Sequence, residues 1–130
     1  MLLEKVLSVL DAKPVSHEMD PTLYVEEGAA ADLMSDVLAI SHTDALLMTG
    51  LTNPQVIRTA EMADIKAVVF VRGKYPPPET ITLAEEKGIP LLSSPYTMYE
   101  SCGRLYQAGL RGEKISDMAA ERWRQAFEED

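Results

Sequence analysis

Three short apolar runs, Ala45–Met48, Ala67–Val71 and Ile89–Leu92, recur in the second half of the chain with amphipathic stretches between them. This alternation constrains the fold more than any other feature. A run that is apolar at every position and bounded by turn residues is a strand covered on both faces. Pro54 fits the first position of a helix capped by Thr52 or Asn53, and Val56, Ile57, Ala60 and Ala63 supply its apolar stripe. A second helix spans Glu79 to Lys87 with Gly88 at its C-cap. A third runs from Tyr96 to Ala108 behind a Ser94 cap and carries Met98, Tyr99, Cys102, Leu105 and Tyr106. The order β-α-β-α-β-α with short loops predicts a parallel sheet, right-handed crossovers and a three-layer α/β/α domain. Pro90 cannot donate to a ladder, so the third strand either sits at an edge or starts its pairing after Pro90.

The flanks are less regular. Leu2, Leu3, Val6, Leu7, Val9 and Leu10 predict a first helix, stopped by Pro14. In the ambiguous stretch 14–31, Leu23–Val25 has the composition of a short strand, and Ala29–Ala31 is too small to anchor a core. Asp32 is a good N-cap for a helix over Leu33–Ile40, with Asp36 near its positive end and Leu33, Met34, Val37, Leu38 and Ile40 as its stripe. Gly109 and Gly112 interrupt the chain. Ile115, Met118, Ala119, Trp123 and Phe127 then predict a C-terminal amphipathic helix docked on the domain or on a partner. The expected division is a domain over 1–110 and a helical extension over 111–130.

At 130 residues and 46% hydrophobic content the chain suffices for one core. Twelve basic against 21 acidic residues give a net charge of −9. That balance argues against non-specific nucleic-acid binding and against an anionic membrane surface. Cys102 alone permits no internal disulfide and no Cys-rich metal site, and two histidines, His17 and His42, disfavour a His-based zinc site. Neither a secretory leader nor an apolar stretch of about 18 residues is found, so a cytoplasmic location is expected. Residues 1–65 hold three basic and eleven acidic side chains, a balance of −8; residues 66–130 hold nine and ten, a balance of −1. An anion-binding surface is therefore expected in the second half.

In parallel α/β sheets ligands bind beyond the carboxyl ends of the strands, at a point where strand order reverses. Three loops belong to that end here: Thr49–Asn53, Arg72–Pro78 and Ser93–Tyr96. Each leads into a helix N-terminus, where free N–H groups favour an anion. The candidate ligand-binding residues are Thr49, Gly50, Thr52, Asn53, Arg72, Gly73, Lys74, Ser93, Ser94, Tyr96 and Thr97, a set suited to a phosphate or carboxylate. Each has a plainer reading as well. Thr52, Asn53 and Ser94 read as ordinary caps, and Arg72 and Lys74 as solvated charge. Cys102 reads as packing, His17 and His42 as surface or capping residues, and Glu26, Glu27, Asp32 and Asp36 as solvated carboxylates. No Walker loop or G-x-G-x-x-G fingerprint occurs, no cofactor is implied, and no nucleophile–base–orienter set can be assembled.

Four segments together resemble the DRTGG domain over roughly residues 2–110: Ala31–Ala39, the Thr49–Pro54 loop, Val69–Gly73 followed by Pro77-Pro78-Glu79, and above all Gly88–Thr97. The family's own signatures are altered. Gly50-Leu51-Thr52 stands where its Asp-Arg turn falls, and Val71-Arg72-Gly73 where its Thr-Gly-Gly falls. The resemblance implies a three-layer α/β fold in a stand-alone DRTGG-domain protein, similar to the N-terminal domain of HPr kinase. It also implies a regulatory or dimerising role, since such modules accompany CBS domains in regulated pyrophosphatases and open some phosphotransacetylases.

Three functional readings follow. The first is a non-catalytic, homodimeric regulatory module that binds a small anionic metabolite or nucleotide at the loop end of the sheet. The second is a pure protein-interaction module working through helix faces, including the Trp123 helix. The third is a small enzyme on a phosphorylated metabolite, which requires a base within reach of Ser93, Ser94 or Tyr96.

Overall fold

A computed structural model describes residues 1–16, 19–40, 42–113 and 116–128. In chain order its elements are α1 (Leu3–Leu10), β1 (Lys13–Pro14), β2 (Glu27–Ala30), α2 (Met34–Leu38), β3 (Ala45–Thr49), α3 (Gln55–Met62), β4 (Ile65–Phe70), α4 (Pro78–Lys87), β5 (Leu91–Ser93), α5 (Met98–Gln107) and α6 (Asp117–Phe127). The expected α/β architecture is present. Five strands form one sheet in the order β1-β5-β4-β3-β2, parallel throughout except for the antiparallel edge strand β1.

The alternation of side chains along each strand divides the core in two. Ala45, Leu47, Val68, Phe70 and Leu91 face α2, α3 and α4, where they meet Val37, Val56, Ile57, Ala60 and Ala84. Leu46, Met48, Ala67, Val69 and Leu92 face the other way, onto Leu3, Val6 and Leu10 of α1 and Leu105 of α5. All five residues of β3 are buried, which is why Ala45–Met48 are all apolar; the fifth, Thr49, bonds its hydroxyl to Asp32. The strands from β2 to β5 lie in sequence order, and all three connecting helices cover the same face.

Several local expectations hold. Pro78 occupies the first turn of α4, and Gly88 closes that helix in the left-handed region at φ 68°. The β5 ladder begins after Pro90, at Leu91, so the proline costs no sheet hydrogen bond.

Others need correction. α1 ends before Pro14. Asp11 adopts the left-handed region and its N–H returns to the Leu7 and Ser8 carbonyls, while Pro14 already belongs to the edge strand β1. Leu23–Val25 makes only an isolated bridge between Tyr24 and Leu2, and the strand of this region is Glu27–Ala30, paired with β3. Small side chains suffice there because the strand is an edge, flanked by Leu110 and Met48 at Gly28. Asp32 does not cap α2; Leu33 holds that position without a side-chain bond. The stripe of α2 is also mostly outside the core, with Val37 buried but Leu33, Leu38 and Ile40 exposed. Ser94 does not cap α5; Thr97 does, accepting the Glu100 N–H at 3.2 Å.

The C-terminal helix is present as α6, capped by Ser116, yet none of its side chains is buried. Of the stripe expected there, Ile115 lies outside the described residues. Met118, Trp123 and Phe127 are exposed, with the two rings 5.0 Å apart. No helix among the described residues is long and apolar enough to cross a membrane.

Candidate functional site

The monotonic strand order has a direct consequence for ligand binding. With no reversal between β2 and β5, the crevice expected at a topological switch point has no place to form. The loops at the carboxyl ends of β3, β4 and β5 nevertheless converge, and they do so by bonding to one another.

The loop after β4 is the centre of this arrangement. Arg72 and Gly73 both take the left-handed conformation, at φ 59° and 67°. Their N–H groups point at the loop after β5, where Arg72 donates to the Tyr96 carbonyl at 2.7 Å and Gly73 to the Ser94 carbonyl at 2.8 Å. Ser93 Oγ closes the junction by donating to the Lys74 carbonyl at 2.7 Å. Two successive N–H groups in such a turn form an anion-binding concavity when free. Here both are committed to main-chain carbonyls, which leaves the side chains of Arg72 and Lys74 as the cationic groups of this loop.

The loop after β3 is joined from the other side. Lys74 Nζ donates to the Gly50 carbonyl at 2.8 Å, and Asp32 Oδ1 accepts the Gly50 N–H at 2.7 Å and the Thr49 hydroxyl at 3.2 Å. A Cβ on Gly50 would lie 3.4 Å from Asp32 Oδ1 and 3.5 Å from Lys74 Nζ. Gly50 is thus buried between an anion and a cation that each bond to its backbone. Asp32 is the residue that sequence reasoning missed. The signal available was an acidic residue two positions past a strand, but that strand reads Glu-Gly-Ala-Ala and was too small to recognise.

The structure therefore brings Thr49, Gly50, Arg72, Gly73, Lys74, Ser93, Ser94 and Tyr96 into one bonded cluster. It does not bring all of them to a ligand. The Ser94 hydroxyl is buried and donates to the Leu10 carbonyl at 2.8 Å, tying α1 to the loop. Asn53 Oδ1 accepts the Gln55 N–H at 3.0 Å ahead of α3, whose N-cap position is held by Pro54 rather than by Thr52 or Asn53, and Thr97 caps α5. Thr52 presents its carbonyl to the Thr80 hydroxyl at 2.7 Å rather than capping α3. At α4 the N-cap and the first helical residue are both proline, which removes N–H donors an anion would use. Tyr96 carries a further cation, with the Arg104 guanidinium 4.1 Å from its ring centroid and bonded to Glu100 at 2.8 Å.

Among the described residues only four non-glycines have positive φ: Asp11, Asp44, Asp64 and Arg72. Aspartate tolerates that region because its short carboxylate can bond locally; arginine gains no such relief and costs about 1–2 kcal/mol there. Arg72 is exposed as well as strained.

Ser93 and Ser94 both donate to main-chain carbonyls, so neither hydroxyl is bonded to a base that would activate it. Cys102 is half-buried against the α1–α5 side of the core, as expected for packing, and burial pushes its thiol pKa up, away from the reactive thiolate. His17 lies outside the described residues. His42 bonds through Nε2 to the Val37 carbonyl at 2.9 Å, a capping role at the end of α2, but its ring is buried rather than on the surface.

Residues 5–108 match the DRTGG domain family. No curated protein matches the chain. Among solved structures, the chain is similar to the CBS and DRTGG domains of the regulatory region of Clostridium perfringens pyrophosphatase, crystallised with the activator diadenosine tetraphosphate. The TM-score is 0.67 at 14% identity, over 98% of this chain and 60% of that one. At that identity the likeness speaks for the fold. The chain spans less than two thirds of the pyrophosphatase region.

Proposed function

The chain belongs to the DRTGG domain family, and from that premise we propose that it is a non-catalytic regulatory module that binds a small anionic metabolite, of the nucleotide or phosphate class, over the loops at the carboxyl ends of β3–β5. The observation that carries this reading is Arg72. A strained, exposed arginine sits where glycine would be free of strain, one residue from a glycine and two from Lys74. Such strain persists where the surrounding structure fixes it and function uses it. The Tyr96 and Ser94 carbonyls hold the backbone there, and the Arg72 side chain is left exposed, two residues from Lys74. The pyrophosphatase region supports the reading by analogy, since the activator bound in its structure is a polyphosphate nucleotide.

The test is a thermal-melt series on the pure protein with AMP, ATP, NAD, acetyl-CoA, inorganic phosphate and simple carboxylates. A ligand at 100 times its Kd adds about 2.7 kcal/mol, or roughly 5–15 °C in Tm for a domain of this size. The reading requires such a shift with at least one phosphate-bearing compound, and its loss in Arg72→Ala and Lys74→Ala.

A second reading rests on α6. Met118, Trp123 and Phe127 are 71%, 66% and 75% exposed on one short helix, which favours an extension over 111–130 that docks on a partner or a second copy of the chain. In this account the domain over 1–110 is the sensor, the assembly is a homodimer, and the lone thiol supports a cytoplasmic setting.

A further inference from the structure

At the opposite end of the sheet from the loop cluster, three segments far apart in sequence bring Glu27, His42 and Glu113 together. Glu27 opens β2, His42 follows α2, and Glu113 follows α5. One imidazole nitrogen and one carboxylate oxygen from each glutamate lie within 4.8 Å of one another. His42 Nδ1 is 3.7 Å from Glu27 Oε1 and 3.7 Å from Glu113 Oε2. The His42 side chain is 2% exposed, and its Nδ1 and the Glu113 Oε2 are both buried without a hydrogen-bond partner among the described residues.

The tautomer follows from the other ring nitrogen. Nε2 lies 2.9 Å from the Val37 carbonyl, which can only accept, so Nε2 carries the proton. In the neutral ring Nδ1 is then a lone pair aimed at two carboxylates. At 3.7 Å neither carboxylate is within the usual hydrogen-bond range of Nδ1, about 2.7–3.2 Å, so the three groups stand together without bonding directly. A metal ion can bridge them: bonds of about 2.0–2.2 Å in tetrahedral geometry set ligand atoms roughly 3.3–3.6 Å apart, close to the two 3.7 Å distances, while the third pair lies within 4.8 Å. The surroundings also match what a metal-bound imidazole needs: its second nitrogen is held by a main-chain carbonyl, and Glu27 Oε1 is held by the Thr43 N–H at 2.8 Å.

We propose that Glu27, His42 and Glu113 form a binding site for one divalent first-row transition ion, with zinc the best suited, and with a further position open to water. One nitrogen and two carboxylate oxygens suit zinc or manganese better than calcium or magnesium, which favour oxygen alone. Two histidines in the chain disfavour a His-rich site, but this one needs only His42. The ion would fasten the segment leading to α6 onto the edge of the sheet, where the Gly28 N–H already donates to the Arg111 carbonyl at 2.9 Å. The site stands independently of the anion-binding reading.

The experiment is calorimetric titration of the tag-free, EDTA-treated full chain with zinc chloride, followed by cobalt(II) absorption spectra. Glu113→Gln and His42→Ala are compared with the controls Glu26→Gln and His17→Ala. The expected result is one ion per chain, a fall in affinity of at least about tenfold in Glu113→Gln and His42→Ala, and unchanged binding in both controls. Should His42→Ala fail to fold, the isosteric Glu113→Gln decides. Absence of zinc binding, binding that survives in Glu113→Gln, or binding lost in His17→Ala overturns the proposal.

Discussion

The Asp32 carboxylate accepts the Gly50 N–H at 2.7 Å across 18 positions of sequence, and so joins the loop after β2 to the loop after β3. The same oxygen accepts the Thr49 hydroxyl. Asp32→Ala leaves a donor of a buried residue unpaired, and hydrogen bonds to charged groups contribute about 1.5–3 kcal/mol. The expected loss of stability is roughly 1–3 kcal/mol by urea unfolding at unchanged slope. Asp32→Asn keeps an acceptor oxygen and should recover most of it. An Asp32→Ala midpoint equal to wild type would remove this bond from the account.

Cys102 links burial to alkaline stability. Its folded pKa is raised by burial, so the folded state keeps the proton longer than the unfolded chain does. The contribution to stability is complete below the unfolded thiol value of about 8.5. It is lost as pH rises from there through the folded value. Stability should therefore fall over that alkaline window in the wild type and fall less in Cys102→Ser, measured as urea midpoints across pH. At neutral pH the thiol should react with a disulfide reagent more slowly than free cysteine. A reaction at the free-thiol rate would contradict the packing described.

How much of this was legible in the chain depends on where each residue's partner lies. β3, β4 and α4 were readable because their signals are local: apolar runs, the prolines before Glu79, and Gly88. β2 was not, because an edge strand covered by Leu110 and the Arg111 carbonyl needs no large side chains of its own. Asp32 and Ser94 have cap chemistry and sit next to helices, yet they bond to Gly50 and Leu10. A short polar side chain serves a nearby helix end or a distant backbone group equally well, and only the assembled sheet decides which. The converging loops were foreseen; that their backbone donors would be consumed by one another was not.

The extension can be removed at a defined point. Residues 110–113 cover the β2 edge through Leu110 and the Arg111 carbonyl, whereas α6 buries none of its side chains. Deleting 116–130 should therefore shift Tm by no more than about 2–3 °C, well below the effect of losing a core element. If α6 carries the docking face, the truncated protein should also lose self-association or partner binding by size-exclusion chromatography with light scattering. An unchanged oligomeric state and partner set would exclude α6 as the interface.

The central claim is that the strain at Arg72 is kept for ligand binding, and Arg72→Gly tests it most directly. Glycine relieves about 1–2 kcal/mol of left-handed strain and gives back roughly 0.4–1 kcal/mol through the freer unfolded chain. The variant should therefore melt at or a few degrees above the wild type without ligand. With the phosphate-bearing compounds, the wild type should shift by roughly 5–15 °C and Arg72→Gly should not shift at all. Equal shifts in both proteins, or a series that moves neither, would contradict the account.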